Sequence, residues 1–371
     1  MSEYGDPRRL VWGQVFAQAA ARTEAALQDV SYDLTEERQR ISEGLRAAGW
    51  DDTHIERRLQ AADANREPVA DATSPGVGPG LEAHARKIAD RVHAAIDEMG
   101  IANFGPALVG IEPVVGPKAE FVGVPFLPEG TISVSSFLFR WCGLIARAYT
   151  RTLLAYPLHW DLAPKSEKDD LSKVLQNEKL CHYWVRVFGS FAVTGTHALV
   201  PFEPATKEEV LIFEQVAWAM EYFAISHEYG HYVVGNRGLE ADPFEEEFKA
   251  DRFAMRVAEY IRAEPLGFDN PYIATGAGGT LLLLSLELLR TVSKAPYAMG
   301  DPATHPPTVE RVDRIANRHA MQPKRLAMDR SFNDAACRIM QAVSAIVDNY
   351  QQQGYFEELR KWTEEKTAGT T

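Results

Sequence analysis

Two histidines four residues apart, with a glutamate beside the first, make the HExxH pattern His227-Glu228-Tyr229-Gly230-His231. On an α-helix, positions i and i+4 lie on one face about one turn apart, so both imidazoles can converge on a single tetrahedral Zn²⁺. Glu228, about 100° round the helix, reaches water bound to that ion. Zinc lowers the pKa of this water, and the glutamate takes its proton as general base and later returns it to the leaving amine. Histidines on the surface of an ordinary helix are the alternative. A catalytic zinc also needs a third protein ligand and an open fourth position, so the search for that ligand discriminates the two.

The third ligand must come from further along the chain. A metzincin continuation is excluded, because Val234 stands where that pattern has glycine and Arg237 where it has a third histidine. Gly235-Asn236-Arg237-Gly238 is helix-stop chemistry, and Asp242-Pro243 supplies the N-cap and first position of a new helix, with Glu245 at its third. That helix can fold back on the first. It carries Glu247-Phe248-Lys249-Ala250-Asp251, with Glu247 and Asp251 four apart on one face and Phe248, Phe253 and Val257 for packing. Glu247 is expected to bind zinc and Asp251 to accept a ring N–H from a ligand histidine. A solvated acid in the run Glu245-Glu246-Glu247 is the alternative, and Glu246 is the fallback ligand if the helix phase differs.

A third segment, Thr304-His305-Pro306-Pro307-Thr308-Val309-Glu310-Arg311, has prolines that fix a loop and open a helix. HExxH, then E-x-x-A-D, then HPP-x-x-x-R in this order resembles the gluzincin metallopeptidases of the HtpX-like and CAAX-prenyl-protease-like family. The resemblance spans about residues 107–320, and the run AEFVGVPFLPEGTISVSS looks like that family's strand-turn-strand. It implies a zincin-like core with one Zn²⁺ per chain, held by His227, His231 and Glu247. It makes Glu228 the general base, Asp251 the acid behind a ligand histidine, and His305 and Arg311 part of a loop near the metal. For His305 three readings stay open: a hydrogen-bond donor to the developing oxyanion, a reversible fourth ligand, or a loop histidine capping local backbone. Arg311 is expected to pair structurally with a buried acid.

The elements that must position these groups suggest an α+β fold, predominantly helical, with a small antiparallel sheet and an N-terminal helical appendage. Leu10–Val30 reads as a helix; a second starts at Thr35 and stops at Gly49, and a third is capped by Asp51 or Asp52. Ile41, Leu45, Ile55 and Leu59 should pack between the last two. Residues 1–64 are thus a helical module that docks a partner or braces the fold. Residues 65–80, rich in Pro, Gly and Ser, read as a flexible linker. The metallopeptidase domain should fill 81–371, with a helix over 81–99, strands in 107–115, 119–126 and 131–139, and a helical insertion over about 140–204 that roofs the cleft.

Composition narrows the remaining classes. Lys+Arg 39 against Asp+Glu 52 leaves −13, which disfavours polyanionic partners, so no nucleic acid is expected and a peptide or protein is the substrate. Three cysteines, far apart and in no CxxC pair, exclude a thiolate zinc site and a disulfide framework. No basic region followed by an apolar stretch opens the chain, so a cytoplasmic location is the expectation. Tyr272–Leu289 approaches spanning length but carries Glu287 and clustered glycines, so it reads as a buried helix and no membrane association is expected. Gly276-Ala277-Gly278-Gly279 lacks the preceding strand of a dinucleotide site. A non-catalytic protein that keeps the zinc helix as a structural element is the rival to the peptidase reading.

Overall fold

A computed structural model describes residues 34–64, 79–101, 105, 107–123, 130–156, 174–201, 203–235, 242–261, 269–293 and 305–368. The helix expected over Leu10–Val30 and the linker up to residue 78 lie outside them. Among the described residues, the chain is predominantly helical with one three-stranded sheet, an α+β architecture. It divides into two compact units that interleave along the sequence. The first takes residues up to 139, then 202–211 and 224–261, and the second takes 140–201, 212–223 and the rest.

Among the described residues, the first unit opens with a helical hairpin, α1 (Leu34–Ala47) and α2 (Asp52–Ala64). Gly49, at φ 85°, ends α1: its N–H donates to the Arg46 carbonyl and the Trp50 N–H to that of Leu45, the two bonds of a Schellman cap. Asp51 then caps α2 by accepting the His54 N–H at 3.0 Å. Leu45, Ile55 and Leu59 form the buried seam, with Ile41 and Trp50 against it, as their spacing suggests. The hairpin is fastened to the residues just before the helix that carries HExxH. The Trp50 indole donates to the Ala205 carbonyl at 2.9 Å, and Arg58 stacks 4.6 Å from its ring centre.

Helix α3 (Pro79–Glu98) packs on strand β1 (Leu108–Glu112) and buries Ile88, Val92 and Ile96 completely or nearly so. Each such side chain contributes roughly 1.5–3 kcal/mol of apolar burial. Strands β2 (Ala119–Gly123) and β3 (Gly130–Ser135) complete the sheet, but in the order β1-β3-β2, with β3 central and buried throughout. The expectation of an antiparallel sheet is corrected here. β2 runs antiparallel to β3, whereas β1 is parallel to it, with Leu108 opposite Thr131 and Glu112 opposite Ser135. The cause is the connection over 113–118, which carries Pro113, Gly116 at φ 89° and Pro117. Pro113 has no N–H to extend the ladder, and the segment steps across two strand spacings, about 9–10 Å, leaving a slot for β3. The third strand is also shorter than expected. It ends at Ser135, whose Oγ accepts the Phe137 N–H and so starts a helix in place of further strand.

Among the described residues, the elements of the second unit are helices: α4 (Ser136–Ala155) from Arg140 on, α5 (Glu178–Thr194), the middle of α6 (Lys207–Gly235), α8 (Pro271–Ala274), α9 (Ala277–Val292), α10 (Thr308–Ala316), α11 (Pro323–Gln352) and α12 (Tyr355–Ala368). Helix α7 (Pro243–Ile261) and the last turns of α6 belong to the first unit. Trp141 of α4 is fully buried, its N–H bonded to Ser285 Oγ at 3.1 Å and its ring edge-on to Phe188 and Phe191. The apolar run Tyr272–Leu289 is broken by Gly276 at φ 78°, which separates α8 from α9. Gly278 and Gly279 then let α9 press on α6, since a Cβ there would meet Ala219 and Phe223 at 2.4 Å. Among the described residues, no helix is long and apolar enough to cross a membrane.

Candidate metal centre

Helix α6 starts with a reciprocal cap. The Thr206 N–H donates to Glu209 Oε2 at 2.8 Å, and the Glu209 N–H donates to Thr206 Oγ1 at 3.3 Å. From that start α6 runs for 29 residues and carries His227, Glu228 and His231 near its end. Its partner α7 begins where Asp242 accepts the Phe244 N–H at 3.0 Å, with Pro243 in the first turn. The two helices approach unusually closely at Gly230. A Cβ there would lie 2.7 Å from the Ala250 Cα and 3.0 Å from its Cβ and carbonyl oxygen. Two small residues at one crossing point therefore let the acids of α7 reach the imidazoles of α6.

Three donor groups meet there. His227 Nε2 and His231 Nε2 are 3.1 Å apart. The Glu247 carboxylate lies 3.4 Å from the first and 3.3 Å from the second. A tetrahedral zinc with bonds of about 2.0–2.1 Å separates its ligands by about 3.3–3.4 Å, so these distances match the edges of such a site. His227 and Glu247 are buried and His231 only slightly exposed.

The opposite ring nitrogens explain which atoms face inward. His227 Nδ1 lies 2.9 Å from Asp251 Oδ1, short although not aligned as a linear hydrogen bond, so the partnership is chiefly electrostatic. His231 Nδ1 lies 3.3 Å from Glu246 Oε1, in hydrogen-bond geometry. Carboxylates on both Nδ1 atoms favour the proton there, which turns both Nε2 lone pairs toward each other and toward Glu247. Lone pairs and a carboxylate that converge in a buried place repel unless a proton or a metal cation sits among them. The donor set fits a divalent metal.

Glu228 is buried and turns its carboxylate to the sheet, where Oε2 accepts the Phe121 N–H of β2 at 2.8 Å. The ladder accounts for that amide's direction. Ser135 N–H bonds the Lys118 carbonyl at 2.7 Å, so Lys118, Glu120 and Val122 pair with β3 while Ala119, Phe121 and Gly123 present their backbone groups outward. The Phe121 ring covers Gly130, where any Cβ would clash with it, and lies 5.5 Å from that of Tyr232, which follows His231. Burial pushes the neighbouring Tyr229 hydroxyl well above the ordinary phenol range, with Asp90 adding to it, so it stays a neutral packing group.

Of the residues singled out by sequence, His227, His231, Glu247 and Asp251 come together at this crossing, with Glu228 beside it. Among the described residues, the first three are the group of side chains able to hold a metal. Glu246 is on the Nδ1 side of His231, not among the Nε2 donors, which separates its role from that of a fallback ligand. His305 and Arg311 belong to the second unit. There His305 is half-buried at a bend before α10, and Arg311 is buried within α10. Sequence reasoning missed the Gly230–Ala250 contact and the Phe121 amide. The first had a signal, a glycine inside HExxH and an alanine inside E-x-x-A-D; the second, a backbone group, had none. Compared with family models, with curated proteins and with solved structures, the chain matches none.

Proposed function

We propose that the chain is a zinc-dependent endopeptidase with a zincin-like core, of the gluzincin type its three motifs resemble. The observation that supports this most is the spacing of the three donor groups, 3.1–3.4 Å, contributed by one turn of α6 and by the facing α7. His227, His231 and Glu247 would hold the zinc. When bound, the ion acidifies water and polarises a carbonyl oxygen.

The chain's own residues do the rest. Glu228 takes a proton from water and passes it to the departing amine, and the Phe121 N–H fixes one of its oxygens so that the other carries the proton. Asp251 and Glu246 hold the rings in the tautomer that points Nε2 inward. The outward backbone groups of Ala119 and Gly123, on the edge of β2 that pairs with no other strand among the described residues, suit an extended peptide added as a further strand on either side of the Phe121 N–H that Glu228 takes. Main-chain pairing of that kind reads peptide backbone, which supports a peptide or protein substrate over other amides.

Replacing Glu228 by Gln tests the reading. The variant should bind zinc as the wild type does and cut an unstructured peptide 10²–10⁴-fold more slowly, the usual contribution of a general base. Equal cutting by both proteins would remove Glu228 from the mechanism. Zinc uptake without cleavage by the wild type, across a diverse peptide library, would favour a non-catalytic role.

A further inference from the structure

Consecutive acids on a helix point about 100° apart, so Glu246 and Glu247 cannot both aim at the same atom. The structure shows where each goes. Glu247 Oε1 lies 3.3 Å from His231 Nε2 and Glu246 Oε1 lies 3.3 Å from His231 Nδ1, so the two bracket one imidazole from its two nitrogens. The other imidazole has the same arrangement by a different route, with Glu247 at Nε2 and Asp251 at Nδ1. Helix α7 thus supplies a carboxylate to both nitrogens of both rings.

We propose that Glu246 is a positioning residue of the metal centre: it fixes the ring plane and tautomer of His231 and so tunes zinc affinity without touching the ion. The proposal rests on the zinc reading above and adds a residue and a magnitude to it. Acids behind ligand histidines are worth about 10–100-fold in metal affinity. Glu246 is 38% exposed where Asp251 is 5% exposed, and water screens the more exposed partner. Removing Glu246 therefore belongs at the lower end, near tenfold, and removing Asp251 at the upper end.

The test is zinc affinity of the full chain by chelator competition, for wild type, Glu246→Ala, Glu246→Gln, Glu247→Ala and the exposed neighbour Glu245→Ala. Glu246→Ala should still bind one zinc, about tenfold more weakly, and Glu246→Gln, which keeps an acceptor but no charge, should fall between it and wild type. Glu245→Ala should match wild type, and all Glu245 and Glu246 variants should unfold at the wild-type temperature without metal. The gap between wild type and Glu246→Ala should narrow at 1 M salt. Equal weakening by Glu245→Ala would reduce the effect to net charge and overturn the proposal, as would unchanged affinity in Glu246→Ala. If Glu247→Ala loses zinc while Glu246→Ala is normal, only this proposal falls. If the wild type takes up no zinc, the underlying reading falls and this one with it.

Discussion

Replacing Gly230 by Ala should separate the metal centre from the fold that carries it. The new methyl would stand 2.7 Å from the Ala250 Cα. Carbon atoms rest at about 3.5–4.0 Å, so α7 must withdraw by about 0.8 Å or more at this level. Glu247 is one turn away on α7, and its oxygens now lie 3.3–3.4 Å from the two Nε2 atoms. The same withdrawal carries them to about 4 Å, outside the edge length of a tetrahedral zinc site. Zinc affinity should drop by about 10–100-fold, the scale on which lost ligand orientation is felt. Stability changes less: overpacking costs about 1–3 kcal/mol, and Ala for Gly in a helix returns up to about 1 kcal/mol. The assay is chelator competition for zinc beside urea unfolding of the metal-free protein. Adding Ala250→Gly should restore little, because the closest atom is the Ala250 Cα and not its side chain. Wild-type zinc affinity in Gly230→Ala would refute the close-approach argument.

The same substitution at Gly143 should have the opposite sign. This α4 glycine has open space where a Cβ would go, so Gly143→Ala should raise stability by about 0.5–1 kcal/mol in urea titrations, and a loss would show an unforeseen clash. A third expectation concerns acid. Burial, and secondarily the charge of Arg140, hold His197 at about 4, below its ordinary 6.5. Between those values the unfolded chain binds a proton that the folded chain does not. This contribution is therefore fully present above pH 6.5 and shrinks as pH falls toward 4, by about 3 kcal/mol in all. Urea midpoints of wild type and His197→Gln should diverge in slope between pH 7 and 4.5, and parallel curves would contradict it.

The local features of this chain could be read from its sequence because local chemistry decides them. Gly49 ends α1, Asp242-Pro243 starts α7, and the i, i+4 spacings of His227–His231 and Glu247–Asp251 place each pair on one face. What could not be read depends on pairings between distant segments. Strand order is set by how six residues between β1 and β2 cross over the slot that β3 fills, and no residue pattern in β1 distinguishes a parallel from an antiparallel neighbour. Helix phase explains Glu246: adjacent acids are equivalent in sequence until packing against α6 sends one to Nε2 and the other to Nδ1. Gly278 and Gly279 were readable only as lacking a nucleotide context; their use, a tight helix crossing, needed Ala219 and Phe223 opposite them.

Metal content of the purified chain, wild type beside Glu247→Ala, tests the central claim most directly. One zinc per wild-type chain, lost on removing the carboxylate while the helical content stays unchanged, is the predicted result. A wild-type chain that binds no zinc, or a Glu247→Ala chain that keeps it with undiminished affinity, would contradict the account.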